Sequence, residues 1–263
     1  MTNPQALLAD LAAEGDALDA VVADLSPAEW GSATAAPGWT VAHQIAHLAW
    51  TDDIAIVAAT DPDEFAARVQ AALAAPTTHV DAAAAEGAQL PPADLLAQWR
   101  KGRTAMVEAL TAVPPGQKLP WFGPPMGAAS MTTARIMETW AHGQDIVDGL
   151  GLTRPPTARL RHVAHIGVRT VGFAFMINDR PAPTEPFRVE LVGPDGETWT
   201  WGEPDAANRV TGSALDFCLL VTQRRHLDDL HLEFVGEQAS EWSSIAQAFA
   251  GLPGEGRKAG QFQ

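Results

Sequence analysis

The sequence contains no tyrosine and only one cysteine, and its acidic residues outnumber its basic residues by 32 to 17. A single cysteine, Cys218, cannot form an internal disulfide, and its place in an apolar run predicts a small buried hydrophobic residue. The lack of clustered cysteines also argues against a structural zinc knuckle. Abundant alanine, glycine and proline without tyrosine are typical of a GC-rich bacterial genome.

Positive charge is scarce throughout the chain. The formal net charge is −15, and the longest basic cluster is Arg224-Arg225-His226. Nucleic acids and anionic membrane surfaces attract proteins through extended basic patches, and a cluster of this length is too short to form one. We therefore expect neither nucleic acid nor membrane as a partner. The partner that we expect is a small-molecule substrate.

Long apolar runs are missing as well. No apolar stretch approaches the roughly 18 residues that a membrane-spanning helix needs. The N-terminal segment lacks a basic region and carries Asp10, Glu14 and Asp16 instead, so we expect no signal peptide and a cytoplasmic protein. With 46% hydrophobic residues over 263 positions, the chain can build a packed core in one large domain or two ordinary ones.

The first part of the chain has the periodicity of helices. Four long helices joined by loops predict an up-down four-helix bundle. The predicted helices cover residues 4–25, a segment from the N-cap Thr40 to about 60, residues 93–112, and residues 133–148 with Thr132 or Thr133 as the cap. A shorter helix is expected over 61–75. Residues 117–131, which include Trp121 and Phe122, are expected to be a loop that either walls a pocket or packs on the surface.

The pattern changes after the Gly- and Pro-rich stretch at 149–156. A helix is expected at 157–178, followed by alternation of period two over 187–192 and 198–201, which predicts a hairpin around Pro194-Asp195-Gly196. Further expected elements are helices at 214–225 and 241–250 and a third strand at 230–235. The fold class predicted is therefore α+β, with a helical bundle over residues 1–152 and a small α+β domain over 153–263.

Two of the predicted helices carry side chains that can bind a metal ion. His43 and His47 lie four residues apart on one helix, and Glu138 and His142 do so on another, so each pair shares a helix face. His47, Glu138 and His142 together would supply two imidazoles and one carboxylate. Three protein ligands with an open position are typical of catalytic zinc, and the same set is also compatible with Fe(II). Spacing alone is a weak signal, because such pairs often arise by chance.

The sequence around these residues resembles a known family. The segment Pro37-Gly38-Trp39-Thr40 with His47-Leu48, and Glu138 with His142 and Asp145, are similar to the two signatures of the mycothiol-dependent maleylpyruvate isomerase family. That family belongs to the DinB-like four-helix bundles, and its small C-terminal α/β domain resembles the part of this chain around 191–199 and 210–212. The resemblance covers most of the chain.

The resemblance implies roles for particular residues. His47, Glu138 and His142 would bind a divalent metal, with zinc preferred and nickel, copper or iron as alternatives. His43 departs from the family pattern. Its role is a catalytic base beside the metal, which we expect first, an extra ligand, or only a residue of the helix stripe. Arg224 and Arg225 fall near the helix end from which the isomerase holds its dianionic substrate, and they are the candidate cofactor-binding residues. Their local pattern differs from that of the family, so maleylpyruvate specificity does not transfer directly.

Three functions are compatible with these features. The first is a metal-dependent enzyme that transfers or adds a low-molecular-weight thiol to a small electrophile, or isomerises it, with mycothiol as the candidate cosubstrate. The second is a thiol-independent metal enzyme, such as a hydrolase, lyase or natural-product tailoring enzyme, that uses the metal as a Lewis acid. The third is a metal- or ligand-binding protein without catalysis. The sequence leaves all three open.

Overall fold

The computed structural model of the protein describes residues 3–251, 254 and 256–262. The chain divides into two compact units, Met1–Thr153 and Arg154–Gln263. Helices make up the first unit apart from one two-stranded ladder, and the second unit combines helices with a four-stranded sheet. Within the described residues, no helix is long and apolar enough to cross a membrane.

The first unit contains seven helices in its described residues, and four of them have 19 residues or more. In chain order the elements are α1 (Pro4–Val22), α2 (Pro27–Trp30), α3 (Val41–Thr60), α4 (Pro62–Ala74), α5 (His79–Gly87), α6 (Pro92–Ala112), β1 (Lys118–Leu119), β2 (Met126–Gly127) and α7 (Ala128–Gly149). The strands β1 and β2 pair antiparallel. Start signals in the sequence account for several helix ends, such as the capping box of Ser26 and Glu29 at α2.

The four long helices contact one another. Helix α1 packs against α6 and α7, and α3 packs against the same two helices. The largest fully buried side chain is that of Trp99, which lies in a cluster with Leu18, Ile45 and Leu48. Because α3 also contacts α2, α4 and α5, it has more neighbouring helices than any other helix described in this unit.

Two expectations for this unit were wrong in detail. Helix α7 begins at Ala128 rather than at 133, because Thr132 and Thr133 do not cap it: their hydroxyls donate to the carbonyls of Ala128 and Ala129, one turn back inside the helix. Helix α5 has no counterpart in the sequence prediction. Its alanine-rich sequence lacks an apolar stripe, and the helix is stabilised by packing on α3.

The second unit contains a four-stranded sheet with strand order β4-β3-β5-β6. The β3–β4 hairpin is antiparallel, β5 runs parallel to β3, and β6 runs antiparallel to β5. The elements are α8 (Leu160–Arg169), α9 (Val171–Ile177), β3 (Phe187–Val192), β4 (Thr198–Trp201), β5 (Asn208–Ser213), α10 (Ala214–Val221), β6 (Leu232–Val235) and α11 (Glu237–Ser243), with a 3-10 turn at Leu227–Asp229.

The hairpin at β3 and β4 is confirmed, and so is the strand near 230–235. Strand β5 was not expected, because it carries Asn208 and Arg209 and its parallel pairing with β3 is not a local signal. The single helix expected at 157–178 is two helices that break at Thr170. The last helix begins at Glu237, directly after Gly236, rather than at 241.

A buried ion pair joins α3 to α7 in the first unit. The Nε and a terminal nitrogen of Arg135 donate to the same oxygen of Asp52, at 3.1 and 2.9 Å. The two residues are only 1% and 2% exposed. Burial raises the pKa of Asp52, and the neighbouring Arg135 charge opposes that rise. An arginine held this deeply depends on its carboxylate, because removing one partner leaves an uncompensated buried charge.

We expect Asp52→Asn to lower the free energy of unfolding by about 3 to 5 kcal/mol, since it leaves the Arg135 charge buried without a counter-charge. The matched control is Asp53→Asn. Asp53 is the next residue and pairs with Arg68 at the surface, where its side chain is 55% exposed. Its loss should cost less than about 1 kcal/mol. Urea unfolding measures both values, and equal effects of the two substitutions would contradict this account of the ion pair.

Candidate metal centre

His47 from α3 and Glu138 and His142 from α7 bring their ligand atoms together. One potential ligand atom from each lies within 4.8 Å of the other two. The Nε2 atoms of both histidines face the same carboxylate oxygen, Oε2 of Glu138, at 3.7 Å from His47 and 3.2 Å from His142. His47 is 8% exposed, and the other two side chains are half-buried. Among the described residues, this is the one such group of three.

The start of α3 fixes the position of His47. Gly38 has a φ of 79°, in the left-handed region that glycine adopts without strain, and the chain then forms a bridge between Ala33 and Thr40. Thr40 is the N-cap of α3. His43 occupies the third helical position, and its Nδ1 accepts from the Thr40 backbone at 3.3 Å and lies 2.8 Å from the Thr40 hydroxyl.

Gln44 connects His142 to the segment that precedes α3. Its Oε1 lies 2.5 Å from Nδ1 of His142, and its Nε2 donates to the Thr34 hydroxyl oxygen at 2.9 Å. The Thr34 hydroxyl donates in turn to the backbone carbonyl of Trp39 at 3.0 Å. Gln44 is completely buried. A buried amide with hydrogen bonds at both ends holds its neighbours in fixed orientations.

Two tryptophans lie against the ligand histidines. The Trp39 ring stacks on His142 at 6.0 Å between centroids and lies 5.3 Å from the His47 ring. On the other side, Trp50 lies 5.9 Å from His47. Helix α5 contacts both indoles: Asp81 accepts a hydrogen bond from Trp39 Nε1 at 2.9 Å, and the His79 ring meets Trp50 edge-on. The aromatic rings orient the imidazoles by packing and exclude water from one side of the group.

The electrostatics of the group are compatible with metal binding. Burial lowers the pKa of His47 to about 4, and the nearby His142 adds to the effect. Burial alone would raise the pKa of Glu138, but hydrogen bonds from His142 and His47 outweigh it and hold the pKa well below its usual range. His47 is therefore neutral and Glu138 is charged near neutral pH, which are the protonation states that metal ligands require.

The donor set fits a divalent ion. Two imidazole nitrogens and one carboxylate oxygen are ligands that zinc accepts, and three protein ligands leave a coordination position open. The hydrogen bond at Nδ1 of His142 leaves its Nε2 facing Glu138. By contrast, Nδ1 of His47 is buried and has no hydrogen-bond partner among the described residues, so packing and the contact of Nε2 with Glu138 set the orientation of that ring.

The group of three does not include the other predicted site residues. His43 is not in the group of three and sits in the helix cap, with its ring 6.4 Å from that of Trp39. Trp121 and Phe122 pack around Phe65 of α4. Arg224 and Arg225 belong to the second unit and follow α10. Arg224 donates to the Thr222 carbonyl, and Arg225 donates to the Arg224 carbonyl and lies over the Phe262 ring. The roles expected for these residues stay predictions.

Sequence reasoning missed Gln44 and the part that Trp39 plays. Gln44 lies between His43 and His47 in the sequence, on a helix face that is otherwise apolar, and a polar side chain buried there needs hydrogen-bond partners. This was the one sequence signal of its role. Nothing in the sequence indicates the contacts of Asp81 and His79, because they belong to α5, a helix that was not predicted.

The fold and site together define a protein with a helical unit that carries a two-histidine, one-carboxylate group, followed by a small α/β unit. The family model for the mycothiol maleylpyruvate isomerase N-terminal domain matches residues 11–147. The chain therefore belongs to this family. A second family model, described as wyosine base formation, matches residues 183–233 in the second unit.

Two curated relatives come from two strains of Mycobacterium tuberculosis, and each bears the name of an uncharacterized protein. Each is 58% identical over 257 residues, which cover 98% of this chain and 100% of the relative. Two crystal structures of mycothiol-dependent maleylpyruvate isomerase, one of them a histidine-to-alanine mutant, superimpose with TM-scores of 0.59 and 0.60. Both are 17% identical and cover 85% of this chain and 90% of the solved chain, so this likeness shows the fold.

His43 contributes to the cap at the start of α3, and we also predict a catalytic role for it. One substitution can separate these two roles. We expect His43→Glu to keep the stability of the protein, because glutamate is the usual third residue of a capping box. It should also keep bound metal, since His43 is not in the ligand group. Loss of activity is expected because no imidazole remains to exchange protons.

Thermal unfolding, elemental analysis and the activity assay give the three readouts on one sample. His43→Ala is the companion variant, and loss of the cap contact should destabilise it by roughly 1 kcal/mol. Full activity in both His43→Glu and His43→Ala would contradict the catalytic role and leave His43 as a capping residue, since alanine cannot accept a proton.

Proposed function

We propose that His47, Glu138 and His142 bind one divalent metal ion, zinc, and that the protein is an enzyme acting on a small electrophilic substrate. The reaction is the transfer or addition of a low-molecular-weight thiol, or isomerisation through it. The observation that carries the proposal is the convergence of three ligand atoms within 4.8 Å, contributed by two helices and flanked by tryptophans. Nickel, copper and iron are the alternative ions.

The thiol part of the proposal rests on the family. The chain belongs to the mycothiol maleylpyruvate isomerase N-terminal domain family, and the solved structures that share its fold are named as mycothiol-dependent enzymes. Mycothiol is therefore the first cosubstrate to test. No observation favours maleylpyruvate itself, and the substrate class proposed here is a small carbon electrophile.

The chemistry that a zinc ion supplies when bound at such a site is Lewis acidity, which stabilises a thiolate at neutral pH. Glu138 reduces the net charge of the site and orients both imidazoles. Trp39 shields one side of the site from water, and its ring offers an apolar surface on which the carbon chain of the thiol can pack. His43, at the start of α3, is the proposed proton acceptor.

The proposal includes two further features. The long helices α1, α3, α6 and α7 form an up-down bundle of the DinB type, with the metal held between α3 and α7. Arg224 and Arg225 bind an anionic group of the thiol or the substrate, since guanidinium groups are suited to carboxylates.

Metal content tests the first part. Protein made without a histidine tag should bind about one zinc ion per chain after reconstitution, as expected for one set of three ligands. His47→Ala and His142→Ala should lose most of the metal, and Glu138→Gln should weaken binding. His226→Ala is the control, because this histidine is 41% exposed and lies in the second unit. Elemental analysis that finds clearly less than one ion per chain in the unsubstituted protein would overturn the proposal.

Thiol binding tests the second part. Calorimetry of the zinc form should detect mycothiol binding, and a panel of electrophiles should reveal thiol consumption that disappears in His142→Ala. Turnover of a substrate without any thiol would contradict this part and favour a Lewis-acid hydrolase or lyase. Retained zinc without mycothiol binding or turnover would leave a non-catalytic metal protein.

A further inference from the structure

One chain of hydrogen bonds leads to the candidate ligand His142, and the residue at its other end determines which group donates in each bond. The chain runs from the Trp39 carbonyl to the Thr34 hydroxyl, then to the Gln44 amide, and finally to Nδ1 of His142. A backbone carbonyl can only accept, so the Thr34 hydroxyl must give its hydrogen to Trp39.

Each following step is then determined. Because the Thr34 hydrogen is committed to Trp39, its oxygen is left to accept, and the partner 2.9 Å away must be the Gln44 NH₂ group. The amide is thereby oriented, and its carbonyl oxygen, Oε1, faces Nδ1 of His142 at 2.5 Å. A carbonyl oxygen has no hydrogen to give, so Nδ1 of His142 must carry the proton.

We propose that Gln44 is a positioning residue that keeps a proton on Nδ1 of His142 and so leaves Nε2, which faces Glu138, as the atom that binds the metal. This inference rests on the proposed function, because Nε2 matters only if His142 is a ligand. The protein makes no comparable contact with His47, whose Nδ1 is buried without a hydrogen-bond partner among the described residues. The two imidazoles thus differ at Nδ1, which contacts Gln44 in His142 and only packs against its surroundings in His47.

The effect on metal binding follows from the geometry of the ring. An imidazole that can protonate either nitrogen, or rotate, spends part of its time with the wrong atom toward the metal. Partners of this kind change metal affinity by roughly 10- to 100-fold when they are removed. Since Gln44 is on α3 and His142 is on α7, the contact also fixes the spacing of the ligand helices at this level.

Three variants test the proposal in the full-length protein. Gln44→Met keeps the length and flexibility of the side chain but removes the carbonyl oxygen, and it should weaken Zn²⁺ binding by roughly 10- to 100-fold. Gln44→Glu restores an oxygen acceptor for His142 and should recover most of the affinity. Thr34→Val removes the group that orients the amide, so its affinity should fall between those of the unsubstituted protein and Gln44→Met. Chelator competition measures all three.

Nuclear magnetic resonance of the metal-free protein supplies a readout that does not depend on metal. Long-range proton–nitrogen correlations at about pH 8, where an ordinary histidine is neutral, identify which ring nitrogen carries the proton. We expect Nδ1 of His142 to carry a proton in the unsubstituted protein and in Gln44→Glu, whether or not Nε2 also shares a proton with Glu138. In Gln44→Met a form without a proton on Nδ1 should appear.

The outcomes separate this inference from the proposed function. If the unsubstituted protein binds no zinc, the proposed function fails, while the protonation of His142 still tests the role of Gln44. Absence of a proton from Nδ1 of His142 in the unsubstituted protein would overturn the inference. So would Zn²⁺ affinity in Gln44→Met equal to that of the unsubstituted protein. Thermal unfolding verifies that each variant is folded, and Gln98→Leu on the exposed face of α6 is the control for a glutamine lost from a helix.

Discussion

The ligand group exists because α3 and α7 lie at a fixed spacing and register. One histidine comes from α3, and the glutamate and the other histidine come from α7. A slide of one helix along the other by a single turn, about 5.4 Å, would exceed the separation of the ligand atoms and abolish the group. Besides the contact of His47 with Glu138, two polar contacts cross between these helices: the buried pair of Asp52 and Arg135, and the hydrogen bond of Gln44 with His142. Both contacts form only when α3 and α7 are aligned in one particular register. Apolar packing alone would specify this register less strictly.

These contacts have a cost in stability that the proposed function explains. Burying an arginine and an aspartate contributes little net stability compared with apolar residues of the same size, and it makes each partner dependent on the other. A glutamine at complete burial needs partners for all its polar atoms. Proteins retain such groups where orientation matters more than stability, and here they flank the three candidate ligands. The tryptophans add to this by packing on the imidazoles, Trp39 on both rings and Trp50 on that of His47.

The sequence predicted most of the candidate ligands and less of what holds them. His47, Glu138 and His142 could be found because helical spacing is periodic and their signatures resemble those of a family. Gln44 was missed because its partners, Thr34 and His142, are 10 and 98 positions away, and only folding shows that they meet.

In the fold, too, the elements with local sequence signals were predicted, and those that depend on distant contacts were not. The hairpin of β3 and β4 is local and alternates cleanly, so it was predictable. Strand β5 was not, because its parallel pairing with β3 crosses a long connection and its first residues are polar. Helix α5 lacks an apolar stripe, and it forms where α3 offers a surface. The features that support the ligands thus depend mainly on contacts distant in sequence.

The central claim is that a metal bound by these three side chains accepts a thiol in its open position. X-ray absorption at the zinc edge of the loaded protein, before and after addition of mycothiol, tests it most directly. The account predicts only nitrogen and oxygen neighbours at about 2.0 to 2.2 Å at first, and then one sulfur neighbour at about 2.3 Å. A first shell that contains sulfur before mycothiol is added, or that gains none afterwards, would contradict it.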